Sequence, residues 1–250
     1  MTASWWRLPD PPLRSSVAIA TALGTLGVVG LACIAQSRTG AGSLYVLKAV
    51  GAFAAGAGLV VGRVGAHHLF PRLGPANYVT LLRVVLVALV GGLMGEPRTA
   101  EIAWFAVGAT IVVASLDGLD GWLARRSQMQ SRFGARFDME TDAVLILVLS
   151  ALVWQHGKAG IWVLACGLMR YAFVAAGWLL PWMAGPLRST LRGKTVAACQ
   201  VVGLGAALLP LVPAPTSHVA AAVTLAALVW SFAVDVIWLR RQAGRDGRAG

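Results

Sequence analysis

Apolar residues recur in eight stretches of this chain, and breaks rich in Gly, Pro or polar residues separate them. Most of these stretches approach the ~20 residues that an α-helix needs to cross a bilayer. The pattern therefore predicts an all-α polytopic membrane protein with helices at 17–36, 44–63, 78–95, 101–122, 139–155, 160–182, 195–213 and 218–239.

Composition supports this class. The 250 residues are 58% hydrophobic and only 12% charged, whereas a soluble domain carries about twice that charged fraction. The net charge of +11 comes without a soluble basic domain, so it predicts contact with anionic lipids or phosphates, and we expect no nucleic-acid partner. The first apolar stretch is longer than the core of a signal peptide, and we expect a retained anchor helix.

The basic residues predict an orientation. With the N-terminus inside, fifteen Arg and Lys residues of the loops and termini face the cytoplasm, against Arg38, Arg98 and Lys158 outside. We therefore expect a multi-pass protein of a cell's inner (plasma) membrane. The loop between the fourth and fifth stretches then lies on the cytoplasmic side.

Acidic residues concentrate around that loop. The segment SLDGLDGWLARRSQMQSRFGARFDMETDA, residues 115–143, holds five of the ten acidic residues. On a helix, Asp117 and Asp120 share one face, about 4.5 Å apart along the axis, and Asp138 and Asp142 share another at i and i+4. If the two helices lie side by side, the four carboxylates meet. Helix-end charges that only face solvent are the structural alternative.

Four carboxylates in one semi-apolar place repel each other unless a cation joins them. Oxygen ligands without His or Cys favour Mg²⁺, Mn²⁺ or Ca²⁺ over zinc, and Mg²⁺ in such sites often holds substrate phosphates. Arg125 suits a phosphate group, and the nearby glycines allow a ligand to approach the backbone. The residues alone predict a metal-dependent site for a di- or triphosphate on the cytoplasmic face.

The spacing Asp117-x2-Asp120-Gly121-x2-Ala124-Arg125-x8-Gly134-x3-Asp138-x3-Asp142 resembles, at every fixed position, the signature of the CDP-alcohol phosphotransferase (CDP-alcohol phosphatidyltransferase) family. The segment NYVTLLR, residues 77–83, is similar to the start of that family's first core helix, and GKTVAACQ, residues 193–200, is a weaker match. The resemblance implies a six-helix catalytic core at 75–240. Two extra transmembrane helices at 1–74 would precede it, and a basic tail at 241–250 would follow.

The resemblance also implies a reaction, in which an acceptor alcohol displaces CMP from a CDP-linked donor such as CDP-diacylglycerol. It implies two divalent ions (Mg²⁺ or Mn²⁺) held by Asp117, Asp120, Asp138 and Asp142, with Asp142 as the base and no organic cofactor. The cytidine and diphosphate would lie against Gly121, Ala124, Arg125, Ser131 and Gly134. A homodimer is expected from the same resemblance.

The acceptor is left open, with glycerol 3-phosphate and an inositol phosphate as candidates. Arg188, Arg192 and Lys194 cluster before the seventh stretch and could hold its phosphate, or could simply face anionic lipid. Arg170 inside the sixth stretch and Glu140 have no assigned role. Asp235 is expected to pair with Arg240 and Arg241 or to reach the interface.

Two other functions fit a helical membrane protein with clustered aspartates. A UbiA-like, Mg²⁺-dependent prenyltransferase also uses Asp-rich motifs, but these lie far apart in sequence, unlike the two pairs here. A cation transporter would hold its acidic residues near the bilayer midplane, whereas these lie at the cytoplasmic edge beside Arg and Gly.

Overall fold

A computed structural model describes residues 11–67, 73–127, 131–183, 185 and 190–246. Within these ranges the chain is helical and contains no strand, as the hydrophobic pattern predicts. The α-helices are α1 Pro11–Thr39, α2 Tyr45–His67, α3 Pro75–Gly92, α4 Ala100–Arg126, α5 Arg132–Gln155, α6 Leu164–Leu179, α7 Leu191–Leu208 and α8 Ala214–Asp246. Short 3-10 turns, Ile161–Val163 and Pro181–Met183, flank α6.

All eight predicted helices are present, but several bounds differ. Helix α5 begins at Arg132 and α8 ends at Asp246, because a helix can continue past the apolar stretch into water. Among the described residues, α1, α3, α4, α6 with its preceding turn, and α8 are long and apolar enough to cross a membrane. Helix α2 has a shorter apolar run, Tyr45–Leu59, and α5 and α7 begin with charged turns.

The helix starts follow from local chemistry. Pro75 is the first residue of α3 and follows Gly74. The φ of Gly74 is 81°, a value that residues with a side chain rarely adopt. Thr99 caps α4 by accepting a hydrogen bond from the Ile102 amide, and Thr190 caps α7 by accepting one from the Gly193 amide.

The chain divides into two compact units, Met1–Leu145 and Ile146–Gly250. In the first, α3 packs against α1, α2 and α4. Helices α1 and α2 form the N-terminal hairpin, which contacts α3 and its C-terminal flank at two places. At one, Lys48 of α2 donates to Glu96 and to the Met94 carbonyl. At the other, the hydroxyls of Ser16 in α1 and Tyr78 in α3 lie 2.9 Å apart. In the second unit, α7 packs along α8, and α6 contacts α8.

Close backbone contacts strengthen the first unit. A Cβ on Gly92 would lie 3.1 Å from the Ala49 Cβ and 3.2 Å from the Ala49 amide nitrogen, so α2 and α3 cross there without room for a side chain. The Tyr45 hydroxyl, fully buried, donates to the Leu89 carbonyl at 3.1 Å. As a result, the span of α3 has 67% of its residues buried, against 17–39% for the other four candidate spans.

Candidate active site

Helix α4 carries the first two aspartates of the motif on one face, near its C-terminal end. Asp120 is buried, with 4% of its surface exposed, while the side chain of Asp117 is 48% exposed. The spacing of three residues places both carboxylates on the same side of the helix, as the sequence predicts. This end of α4 therefore presents one deep and one accessible carboxylate.

Helix α5 carries the other two aspartates in its first half. Ser131 precedes the helix, and its hydroxyl accepts a hydrogen bond from the Gly134 amide at 3.0 Å, which caps the free N–H groups of the first turn. Asp138 and Asp142 follow at a spacing of four residues and are 37% and 32% exposed in their side chains. The cap thus fixes where α5 begins, and hence where both carboxylates lie.

Arg83 of α3 joins the two pairs. Its Nη1 donates to Asp120 Oδ2 at 2.7 Å and to Asp138 Oδ1. Its Nη2 donates to Asp142 Oδ1 and lies 2.9 Å from Asp117 Oδ1. One guanidinium, only 1% exposed, therefore contacts all four motif aspartates.

From its position in the third apolar stretch, Arg83 could face the cavity or reach the interface, and it is not among the predicted site residues. The signal that could have indicated it is the interval of three residues between Asn77, Thr80 and Arg83, which places them near one face of α3. The structure uses that face: the Thr80 hydroxyl lies 3.2 Å from Asp120 Oδ2, and both Asn77 and Thr80 are buried. Helix α3 is thus the third wall of the carboxylate cluster.

Gly134 of α5 lies against the side chain of Asn77 of α3. A Cβ on Gly134 would lie 3.0 Å from Asn77 Oδ1 and 3.3 Å from Ser131 Oγ. Asn77 is held in place because its Nδ2 donates to the Leu73 carbonyl. The motif glycine therefore permits close packing of the two helices, a structural role in addition to the predicted contact with the nucleotide.

The donor set suits a hard divalent cation. Carboxylate oxygens of Asp117, Asp120 and Asp138 lie within 4.8 Å of one another, and Asp142 shares the Arg83 guanidinium with them. Four carboxylates against one guanidinium leave three negative charges without a paired cation among the site residues described here. Oxygen-only ligands of this kind favour Mg²⁺ or Mn²⁺ over zinc.

The remaining residues of the predicted nucleotide pocket lie on the same two helices. Gly121 is half-buried in α4, one residue after Asp120. Ala124 and Arg125 belong to the last turns of α4, but their side chains lie outside the described part of the structure. The roles of these residues, and of Ser131 and Gly134, toward cytidine and diphosphate stay predictions.

The basic residues predicted to bind the acceptor phosphate, Arg188, Arg192 and Lys194, belong to the second unit. Arg188 lies outside the described residues, and Lys194 is exposed in the first turn of α7. Arg192 instead donates to Asp235 of α8 and lies over the Trp230 ring, 5.8 Å from its centroid. Asp235 therefore pairs with Arg192 rather than with Arg240 and Arg241, because the antiparallel course of α7 along α8 brings the start of α7 beside it. Arg170 is half-buried in α6.

Comparison with known proteins bears directly on these residues. A family model described as CDP-alcohol phosphatidyltransferase matches residues 74–234, which include the whole aspartate motif and Arg83. A probable phosphatidylglycerophosphate synthase of Mycobacterium tuberculosis is 32% identical over 160 residues, which cover 62% of this chain and 74% of that protein.

Two further relatives are CDP-diacylglycerol–glycerol-3-phosphate 3-phosphatidyltransferases. The one from Pseudomonas fluorescens is 33% identical over 47% of this chain and 60% of its own length. The one from Escherichia coli K12 is 31% identical over 50% of this chain and 71% of its own length. No solved structure matches the chain significantly. The resemblance in the motif is thus confirmed over most of the chain, which belongs to the CDP-alcohol phosphatidyltransferase family and is therefore a transferase of substituted phosphate groups.

Proposed function

We propose that this protein transfers the phosphatidyl group of CDP-diacylglycerol to the hydroxyl of glycerol 3-phosphate and releases CMP. The observation that carries the proposal is the convergence of four motif aspartates from α4 and α5 on Arg83. The choice of donor and acceptor is supported by the names of the Pseudomonas and Escherichia relatives.

The four aspartates, Asp117, Asp120, Asp138 and Asp142, would hold two divalent ions, Mg²⁺ or Mn²⁺. The fit rests on the all-carboxylate donor set and on its three uncompensated negative charges. When bound, such ions offset the charge of the diphosphate and of the leaving CMP. Three of the four carboxylates are partly exposed, so the cluster is open to solutes from one side.

Asp142 is the proposed base. Its carboxylate takes the proton from the acceptor hydroxyl while that oxygen forms a bond to the phosphorus of the phosphatidyl group. The phosphoanhydride bond between this phosphorus and the bridging oxygen breaks, that oxygen leaves on the phosphate of CMP, and a new phosphate ester bond joins the acceptor to the phosphatidyl group. Asp142 is better suited to this role than Asp120, because it is partly exposed and Asp120 is buried.

The chain's own residues also bind and orient the substrates. We assign the cytidine and diphosphate to Gly121, Ala124, Arg125, Ser131 and Gly134. The phosphate of the acceptor is assigned to Arg188, Arg192 and Lys194, of which Lys194 is exposed, whereas Arg192 already pairs with Asp235. The lipid tails of the donor would stay in the bilayer throughout.

The proposal extends to the domain arrangement, the membrane orientation and the oligomeric state of the protein. Residues 75–240 form the catalytic core, preceded by the two extra helices of residues 1–74 and followed by the basic tail, 241–250. The distribution of Arg and Lys supports a cytoplasmic active site in a bacterial inner membrane. A homodimer is part of the same proposal.

The experiment is CMP release by the purified protein with CDP-diacylglycerol, Mg²⁺ or Mn²⁺, and one acceptor at a time: glycerol 3-phosphate, an inositol phosphate, inositol, glycerol or serine. We expect turnover with glycerol 3-phosphate, a lipid product identified by mass spectrometry, and none after EDTA treatment until metal returns. Turnover confined to a different acceptor would contradict the substrate assignment, and metal-independent turnover would contradict the proposed centre.

A further inference from the structure

We propose that Arg83 is a tethered competitor of the divalent ions: it holds the four aspartates together in the metal-free protein and gives up part of these contacts when ions bind. This inference rests on the metal centre of the proposed function. It concerns how the site is kept assembled, and how tightly it binds metal, before any substrate arrives.

The polar contacts of the Arg83 guanidinium are all with carboxylates in the described part of the chain. In the part of the chain that the structure describes, the hydrogen-bond and ion-pair partners of the guanidinium are the carboxylates of Asp117, Asp120, Asp138 and Asp142. The Nε atom is buried and has no hydrogen-bond partner among the described residues. The polar contacts that orient the buried guanidinium are therefore those with these carboxylates, so its orientation depends on where they point.

The same oxygens serve both cations. Asp120 Oδ2 and Asp138 Oδ1 contact Nη1, while Asp117 Oδ1 and Asp142 Oδ1 contact Nη2. An ion bound by three or four of these carboxylates needs oxygen lone pairs that now accept from Arg83, and its charge repels the guanidinium at this distance. Metal and Arg83 therefore exclude each other, at least in part.

The depth of the site explains why such a device is needed. Arg83 lies eight residues into α3, about 12 Å along its axis, and Asp120 beside it is buried. Without a cation, the four aspartates would repel each other, most strongly around buried Asp120, and α4 and α5 would be driven apart. A guanidinium on a neighbouring helix prevents this, at the expense of metal affinity.

The test is Mn²⁺ binding to metal-stripped protein in detergent, measured by electron paramagnetic resonance without substrate. We expect Arg83→Gln to bind Mn²⁺ with a Kd about tenfold lower than the wild-type protein, because the competing charge is gone. Arg83→Lys keeps the charge and should stay within about threefold of wild type. In addition, Mn²⁺ should raise the Tm of Arg83→Gln more than that of wild type, since its metal-free form lacks the internal cation.

An equal or higher Kd for Arg83→Gln would overturn the inference while leaving the metal centre intact. If the wild-type protein binds no Mn²⁺, the metal centre itself fails, and this inference fails with it. Arg38→Gln, which removes an exposed charge at the C-terminal end of α1, serves as the control and should leave the Kd unchanged.

A measurement on the unaltered protein covers the case in which Arg83→Gln does not fold. Experimental structures with EDTA and with Mn²⁺ should differ at Arg83. With metal, its Nη atoms should lie beyond about 4 Å from at least two of the four carboxylates. A guanidinium that keeps all four contacts beside bound Mn²⁺ would overturn the proposal.

Discussion

Arg83 of α3 and Asp120 of α4 form an ion pair of 2.7 Å in which both side chains are almost wholly buried. Thr80 adds a hydroxyl 3.2 Å from the same carboxylate oxygen. The other three aspartates around Arg83 are partly exposed. The cluster therefore combines one aspartate with a large structural role and three whose surroundings leave them accessible to a ligand.

This difference predicts separable effects on stability. Asp120→Asn replaces the buried carboxylate that accepts from Arg83 and Thr80, while Arg83 keeps its other three carboxylates, and should lower the free energy of unfolding by about 1.5–3 kcal/mol. Asp117→Asn, at a half-exposed position, should lower it by less than about 1 kcal/mol. Thermal unfolding in detergent, monitored by tryptophan fluorescence, compares the two. Equal destabilisation would contradict the assigned roles, although both variants should lose CMP release.

Asp142→Asn should abolish transfer while the protein still folds. The amide cannot take the proton of the acceptor, so we expect CMP release to fall by at least about 100-fold. CMP release by Asp138→Asn should fall by a comparable factor, because this substitution removes a proposed metal ligand. The control is Glu140→Gln on the same helix turn, which should keep near-normal activity. Substantial turnover by Asp142→Asn would remove that residue from the role of base.

Gly134→Ala tests the close approach of α5 to α3. The new methyl group would lie 3.0 Å from Asn77 Oδ1, so either the Asn77 side chain or α5 must shift, and we expect a loss of about 1–3 kcal/mol in stability together with reduced activity. Gly108→Ala in α4 has open space around it and should be neutral. Asn77→Ala in the Gly134→Ala background removes the colliding atom and should restore part of the stability. A Gly134→Ala protein as stable and active as Gly108→Ala would show that this contact is unimportant.

Lys194 and Arg192 should behave differently although both are basic residues of α7. Lys194→Gln should raise the KM for glycerol 3-phosphate about 5- to 50-fold with little change in Tm, if it binds the acceptor phosphate. Arg192→Gln leaves Asp235 without its cation, so it should lower the Tm more than Lys194→Gln does. Steady-state kinetics and thermal unfolding of both variants separate the roles. An unchanged KM in Lys194→Gln would exclude it as the phosphate grip.

The outer end of the N-terminal hairpin should be sensitive to acid. Burial raises the pKa of Glu96, but hydrogen bonds from Lys48 and the Gly42 amide outweigh it, so the pKa lies below its ordinary value. A lowered pKa contributes stability above the unfolded value of 4.5 that is lost as the pH falls through the folded pKa. Wild-type Tm should therefore fall below about pH 4.5 more steeply than the Tm of Glu96→Gln. Parallel pH profiles would show that the carboxylate contributes nothing.

The eight helices could be predicted because each depends on a local pattern of apolar residues bounded by Gly, Pro or polar breaks. The convergence of the four aspartates could be predicted as well, since their spacings place each pair on one helix face and the family motif is dense. The metal ligands, the base and the nucleotide pocket stay predictions, because no observation on the structure tests the roles of individual residues.

The contacts that hold the site could not be read from the sequence. Arg83 meets Asp142 across 59 positions of the chain, and Lys48 meets Glu96 across 48. The periodicity of a single helix does not encode such a pair, because the pair depends on which helices pack together and on how they are aligned along their axes. For the same reason, the sequence does not indicate that Asp235 pairs with Arg192.

The covering of α3 by α1, α2 and α4 bears on how the protein is made. The α3 segment has a mean hydropathy of 1.5, against 2.2 for α1, and it contains an arginine that acyl chains solvate poorly. The ribosome completes α1 and α2 before α3, and α4 with its buried Asp120 afterwards. At the translocon, α3 therefore meets two finished helices that can shield it from lipid before the counterion of its arginine has been synthesised.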